Sequence, residues 1–286
     1  VDSSHAKFEQ TSTRLRGFRE AAAAASGRRP RRIGTVRTAL VSALACLLLG
    51  LVACGDAGGA ARADTTSPPS ATPPTSSPST LSDALASLRP PIHQWRIPFG
   101  AARKRQMAAY SLRHYGEDTY VLSNPKVIVE HYTETATAQQ AYNTFAPDVP
   151  DSEFGELPNT CAHFLVEPSG RIDQLVSLAL RCRHTVGLNW TAIGIENVGF
   201  SDRQILDDRA QISASLRLTR WLRCSYGITL KNVIGHNESL SSPYHRELVP
   251  AFQHQTHSDF NHADMHVYRT RLARLACPAG SFAGSR

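Results

Sequence analysis

The chain has 286 residues, 41% of them hydrophobic and 19% charged, the balance of an ordinary globular protein with room for a sizeable core. Its formal net charge of +7 is concentrated before Thr38, in Arg14, Arg16, Arg19, Arg28, Arg29, Arg31, Arg32 and their neighbours, and the remainder is nearly neutral. A basic leader ahead of an apolar stretch is a targeting pattern, so the charge is no footprint for nucleic acid, and nucleic acid is not expected as a partner.

From Thr38 to Ala53 the residues TALVSALACLLLGLVA carry no charge and follow Arg37, giving the n-region and h-region of an export signal that is short for a membrane span. The stretch ends Leu51-Val52-Ala53-Cys54-Gly55, which resembles a bacterial lipobox, with Cys54 as the thiol that takes a diacylglycerol. Residues 1–54 therefore read as a basic leader and lipoprotein-type signal, and the protein is expected to be exported and lipid-anchored at the outer face of the cytoplasmic membrane or in the cell wall. Residues 55–91 read as a linker, because Thr65 to Thr80, TTSPPSATPPTSSPST, has no aliphatic residue beyond Ala and is broken by prolines. Such chain extends about 3 Å per residue and holds a domain some distance from its anchor. Residues 92–280 read as one folded domain and residues 281–286 as a tail.

Within the domain, Lys126 to Tyr132, KVIVEHY, is a short β-branched run of the kind that forms a strand buried on both faces. Thr137 to Phe145 is helical in pattern. Ala162 to Glu167 and Arg171 to Ser177 flank Pro168-Ser169-Gly170 and read as a β-hairpin. Ala192 to Val198 is a further strand. Asp202 to Tyr226 reads as one amphipathic helix, with Ile205, Ile212, Leu216 and Leu222 at helical spacing and Gly227 as its stop. Asn232 to Gly235 is a buried strand, and Ala263 to Ala276 a helix ending before Pro278. The class is α/β, a mixed central β-sheet flanked by helices.

With Cys46 in the apolar leader and Cys54 at the lipobox set aside, Cys161, Cys182, Cys224 and Cys277 remain, an even number in an exported domain. Two disulfides are expected. Of the three connectivities, Cys161 with Cys182 and Cys224 with Cys277 is favoured, since each pair joins neighbouring elements; no CxxC spacing supports zinc binding by these residues.

Three polar residues terminate or interrupt apolar strands: His131 after VIVE, Glu196 within IGIENVG and His236 after VIG. Strand ends are rigid, and a metal site needs ligands held within a few tenths of an Å, so imidazoles on adjacent strand ends suit half of a zinc site. These pieces, with the hairpin AHFLVEPSGRIDQLV, the segment RHTVGLNWTAIGIENVG, VIGHNES and Thr256-His257-Ser258-Asp259, resemble the type 2 N-acetylmuramoyl-L-alanine amidases, a family that shares its fold with peptidoglycan recognition proteins and phage amidase lysozymes. The resemblance spans about Val127 to Tyr268.

That resemblance implies Zn2+ as cofactor, held by two His and one Asp, Cys or His, which carry over to His131, His236 and Asp259, with His257 the competing third ligand. The family commonly writes Lys-x-Asp-Pro where this chain has His257-Ser258-Asp259-Phe260, which puts the loop's geometry in question and places His257 where many members use a Lys to steady an oxyanion. Glu196 is the expected general base, and His184, Tyr132 and Asn197 are expected to contact substrate. His262 and His266 are spaced as a separate helical metal pair, with surface positions the plainer reading, and Glu238 is a candidate acceptor for the second ring nitrogen of His236. The implied activity is zinc-dependent hydrolysis of the amide between N-acetylmuramic acid and L-alanine in peptidoglycan, by a monomer. The alternative on the same fold is a receptor domain that binds peptidoglycan without cutting it.

Overall fold

The structure, a computed structural model, describes residues 80–283; the basic leader, Cys54 with its lipobox and nearly all of the Pro-rich run lie outside the described residues. In chain order the elements are helix α1 (Leu81–Ser87), strand β1 (His93–Gln94), α2 (Ala101–Tyr115), β2 (Val127–Tyr132), α3 (Ala138–Phe145), β3 (Phe164–Val166), β4 (Ile172–Gln174), β5 (Ala192–Asn197), α4 (Asp202–Asp207), α5 (Arg209–Tyr226), β6 (Val233–Gly235) and α6 (His262–Ala273). The strands form one sheet in the order β1-β4-β3-β5-β2-β6. Only the β3–β4 hairpin is antiparallel; the other neighbours run parallel. This is the mixed α/β architecture expected. Among the described residues no helix is long and apolar enough to cross a membrane.

The central strands β2 and β5 are covered on both faces, which is why their sequences read almost continuously apolar. On one face Ile128, Ile193 and Ile195 pack against Leu218 and Leu222 of α5 and Met265, Tyr268 and Leu272 of α6. On the other, Val127, Val129 and Ala192 meet Leu188 and Ile234. Glu130 interrupts the helix-side face without exposing a charge. It is fully buried and accepts from Thr219 Oγ1 at 2.7 Å, Tyr268 Oη at 2.8 Å, Asn197 Nδ2 at 3.1 Å and Ser215 Oγ at 3.3 Å. One carboxylate thus ties β2 to β5, α5 and α6, and burial pushes its pKa upward.

Three elements differ from expectation. The long helix from Asp202 is two helices, because Asp208 leaves the helical region (φ −77°, ψ 109°) and its carboxylate caps the N–H groups of Ala210 and Gln211 at 2.9 and 3.0 Å. Helix α1 falls inside the stretch that composition reads as linker; Thr80 and Asp83 close a reciprocal cap at its start. Helix α2 carries no apolar periodicity to read, since its buried residues include Arg103, Ser111 and His114 beside Met107, Tyr110 and Tyr115. The disulfides Cys161–Cys182 and Cys224–Cys277 are both formed, in the pairing favoured above.

The polar residues buried on α2 hold the irregular segment 146–160. The guanidinium of Arg103 donates to the carbonyl oxygens of Phe145 at 3.0 Å, Asn159 at 3.2 Å and Thr160 at 3.2 Å. His114, fully buried, sits between two carboxylates, with Nδ1 2.9 Å from Glu247 and Nε2 3.0 Å from Glu156. Burial alone would lower this imidazole's pKa, but the bonds to Glu156 and Glu247 outweigh it and the net shift is upward. A His whose folded pKa is raised stabilises the fold fully below its ordinary pKa of about 6.5 and loses that contribution as pH climbs through the folded value. His114→Asn is therefore expected to lower stability by about 3 kcal/mol at pH 6, the cost of leaving the buried Glu247 carboxylate without its charged partner; Glu156 keeps Arg113. In urea titrations the gap to the parent should narrow as pH rises above the raised pKa; a gap constant between pH 6 and 9 would show that His114 carries no proton.

Candidate metal centre

Strands β2, β5 and β6 are mutually parallel through β2, so their C-terminal ends lie along one edge of the sheet. His131 and Glu196 are register partners across the β2–β5 ladder and therefore project from the same face. His236 follows the last residue of β6 directly and opens a short turn, His236–Ser241. The sequence sets these three side chains at the edge by ending apolar runs on them.

Asp259 comes from an irregular loop, and two features press that loop onto β6. Gly235 leaves room for it: a Cβ there would lie 1.8 Å from the carbonyl oxygen of Phe260. Phe260 is fully buried with φ +42°, in the left-handed region that L side chains rarely adopt, and its N–H donates to Asp202 Oδ1 at 2.9 Å. The N–H of Asn261 donates to the other oxygen of Asp202 at 2.9 Å. A proline at position 260 could adopt neither that φ nor that bond. The loop is thus held by Asp202 in place of the ring that the motif lacks.

Asp259 Oδ2 lies 3.0 Å from His131 Nδ1, and Oδ1 lies 3.4 Å from His236 Nδ1. One donor atom from each of the three residues falls within 4.8 Å of the others, and all three residues are buried. Burial pulls the His236 imidazole down to about 4, so it is neutral at pH 7 with a lone pair to give. Against the upward push of burial, hydrogen bonds from His131 and His236 hold the Asp259 carboxyl far below the usual carboxylate range. The His131 pKa moves up: burial opposes its charge, and the bond to Asp259 overcomes that. Two imidazoles and a carboxylate, dry and convergent, are the donor set a zinc-type cation takes, and the ion would displace the proton that His131 shares with Asp259.

Glu196 stands beside this cluster, 8% exposed, with its Oε2 buried and without a hydrogen-bond partner. Burial pushes its carboxyl up to about 7, so near neutral pH it exchanges protons readily. The cluster and Glu196 line a cleft of about 330 Å³, whose walls include Glu134, Glu153, His184, Thr185 and His257. His257 sits on the rim. Its ring stacks on His236 at 4.6 Å and its Nε2 lies 3.1 Å from a Glu153 oxygen. That hydrogen bond raises the His257 pKa and favours the protonated ring. Asp259 is thus the residue that converges with His131 and His236, while His257 turns toward Glu153.

Several site residues read from the sequence lie elsewhere. Asn197 neighbours Glu196 on β5, so alternation sends it to the opposite face, where it is fully buried and bonded to Glu130 and to the carbonyl of His131. Tyr132 neighbours His131 and for the same reason packs on the helix-side core. Neither lines the cleft. His184 does border it, but its Nδ1 lies 3.2 Å from His131 Nε2, beneath the ligand; burial holds this imidazole well below its ordinary pKa. Glu238 is engaged by Arg269 at 2.6 Å and by the N–H of Gly235, not by His236. His262 pairs with Glu238, and among the described residues His262 and His266 belong to no group of three metal-competent donors. Glu134, Glu153 and Thr185 escaped the sequence reading because they stand in irregular segments where no apolar pattern marks a polar residue as placed.

Residues 122–258 match the family model described as N-acetylmuramoyl-L-alanine amidase. No curated protein sequence matches the chain. Among solved structures, the endolysin N-acetylmuramoyl-L-alanine amidase LysCS from Clostridium intestinale is similar at 20% identity, over 52% of this chain and 82% of its own, with a TM-score of 0.38. A mutant endolysin from Bacillus subtilis is similar at 23% identity, over 51% of this chain and 84% of its own, with a TM-score of 0.35. The E. coli N-acetylmuramyl-L-alanine amidase AmiD, solved with anhydro-N-acetylmuramic acid-L-Ala-D-gamma-Glu-L-Lys, is similar at 23% identity, over 41% of this chain and 50% of its own, with a TM-score of 0.32.

Chelator-stripped protein is expected to take up one divalent cation per chain on dialysis against zinc, read by elemental analysis. His236→Ala or Asp259→Ala should bring the uptake close to zero, while His262→Ala, outside the cluster, should leave it unchanged.

Proposed function

Residues 122–258 belong to the N-acetylmuramoyl-L-alanine amidase family, and from that premise we propose that the protein is a zinc hydrolase that cuts the amide between the lactyl group of N-acetylmuramic acid and the L-alanine of the stem peptide. The observation that carries the reading is the convergence of His131, His236 and Asp259 within 4.8 Å beside a buried, unpartnered Glu196 carboxylate. When bound, the cation supplies a Lewis acid for the scissile carbonyl and lowers the pKa of water.

The protein's own groups supply the proton transfers and the charge. Glu196, a buried carboxylate without a hydrogen-bond partner, takes a proton from the attacking water and returns it to the departing amine of alanine. His257, whose protonated form the bond to Glu153 favours, stands on the rim of the cleft as the group that would steady the oxyanion. His131, His236 and Asp259, all buried, would hold the cation in the wall of the cleft. A receptor that binds peptidoglycan without cutting it has no use for a complete donor set beside a raised carboxyl, so the catalytic reading is the one adopted. The leader, the lipobox at Cys54 and the Pro-rich tether add that the enzyme works outside the cell from a lipid anchor, within reach of the wall.

Glu196→Gln keeps the size and shape of the side chain and removes the proton carrier. It is expected to lower the release of free stem peptides from wall sacculi by about 10²–10⁴-fold with zinc content unchanged. Sacculi bound by zinc-loaded parent protein without release of stem peptides would favour the receptor; products cut within the stem would point to a peptidase.

A further inference from the structure

If His131 holds a cation through Nδ1, as its approach to Asp259 requires, its Nε2 must carry a hydrogen, and that N–H points into the floor of the cleft, away from water. A buried donor needs an acceptor, and the acceptor fixes both the tautomer and the orientation of the ligand ring. Two atoms are within reach: His184 Nδ1 at 3.2 Å and Thr185 Oγ1 at 3.3 Å.

The directions of the surrounding bonds have one consistent solution. His184 Nε2 faces the carbonyl oxygen of Ala192 at 3.4 Å, which only accepts, so the His184 hydrogen resides on Nε2 and Nδ1 keeps its lone pair. The Thr185 hydroxyl, 2.9 Å from that Nδ1, donates to it and leaves its own lone pairs toward His131. His163, edge-on to His184, does not compete: its Nδ1 accepts from the Gly194 N–H at 3.0 Å and its Nε2 donates to the Leu180 carbonyl at 3.0 Å.

The backbone around these two residues is built to hold them. Asn189 Oδ1 accepts the N–H groups of both His184 and Thr185 at 2.8 Å, and Asn189 Nδ2 donates to Tyr115 Oη at 3.2 Å. Gly194 on β5 makes the space for the His184 ring, since a Cβ there would lie 2.6 Å from it. Both acceptors are neutral. They can orient the His131 ring without drawing off its proton, so Asp259 remains the one anionic ligand and the bound cation keeps a net positive charge toward substrate.

We propose, resting on the zinc reading above, that His184 and Thr185 are positioning residues that fix the tautomer and plane of the ligand His131, and that neither serves as a contact for substrate. His184→Phe keeps an aromatic ring against Gly194 and removes the acceptor; Thr185→Val is isosteric and removes the hydroxyl. Zinc affinity of the full chain is measured by competition with a chromophoric chelator, with urea midpoints as a check on folding. Each variant is expected to bind zinc about 10–100-fold more weakly than the parent, and His184→Gln, whose side-chain oxygen restores an acceptor, should recover part of that loss. With zinc saturating, KM for a muropeptide should stay at the parent value.

Unchanged zinc affinity in folded variants, or a raised KM at full zinc occupancy, would overturn the proposal. Should His184→Phe fail to fold, Thr185→Val carries the same comparison. A parent protein that takes up no zinc would defeat the metal reading itself, whereas a zinc-binding parent matched by both variants would defeat this inference alone.

Discussion

The site depends on strand alternation at the β2–β5 ladder. With His131 paired to Glu196, every second residue of the two strands lies on the cleft side of the sheet and the residues between face the helices. The same register that brings an imidazole and a carboxylate together on the cleft side brings Glu130 and Asn197 together on the helix side, where they bond each other at 3.1 Å. A slip of one residue would send His131 among the apolar side chains of α5 and α6 and turn Glu130 toward the cleft. The buried bonds from Thr219, Tyr268 and Ser215 to Glu130 oppose that slip, because a displaced Glu130 would leave three hydroxyls on two helices without their acceptor. The polar cluster under the sheet and the polar cluster above it are two outcomes of one pairing.

Much of this was legible in the sequence because strands buried on both faces must be apolar throughout. In VIVEHY and AIGIEN a charged or imidazole residue breaks an otherwise apolar run at a cost that needs a reason, so His131 and Glu196 were conspicuous. The same rule could have excluded two expectations. Tyr132 and Asn197 each adjoin a cleft residue on a strand, and adjacency along a strand means opposite faces. The cysteine pairing was accessible too, since each pair joins elements that are neighbours in the fold.

What the sequence hid is polar structure that follows no period. Helix α2 buries Arg103 and His114, which serve carbonyls and carboxylates of distant segments and so leave no apolar stripe to find. The break at Asp208 falls between buried Ile205 and Ile212, whose spacing suits one helix as well as two; only the capping chemistry of the aspartate distinguishes them. Glu153 reaches His257 across 104 positions of sequence, from a segment whose place is set by Arg103, by the Asp151–Arg183 ion pair and by the bonds of Glu156 to His114 and Arg113. No local pattern could announce that contact.

The third donor raises a different physical problem from the first two. His131 belongs to a strand and His236 emerges from the end of one, so the sheet's hydrogen bonds keep both in place; Asp259 has no ladder behind it. Its rigidity is assembled from side chains and close approach: Asp202 accepts two consecutive N–H groups just beyond Asp259, Asn237 N–H donates to the Asp259 carbonyl at 3.0 Å, and Gly235 lets the loop seat directly on β6. The left-handed Phe260 has an energetic cost, and the burial of its ring beside Tyr268 in the helix-side core offsets it. The carboxylate that completes the donor set is therefore coupled to the same core that Glu130 anchors.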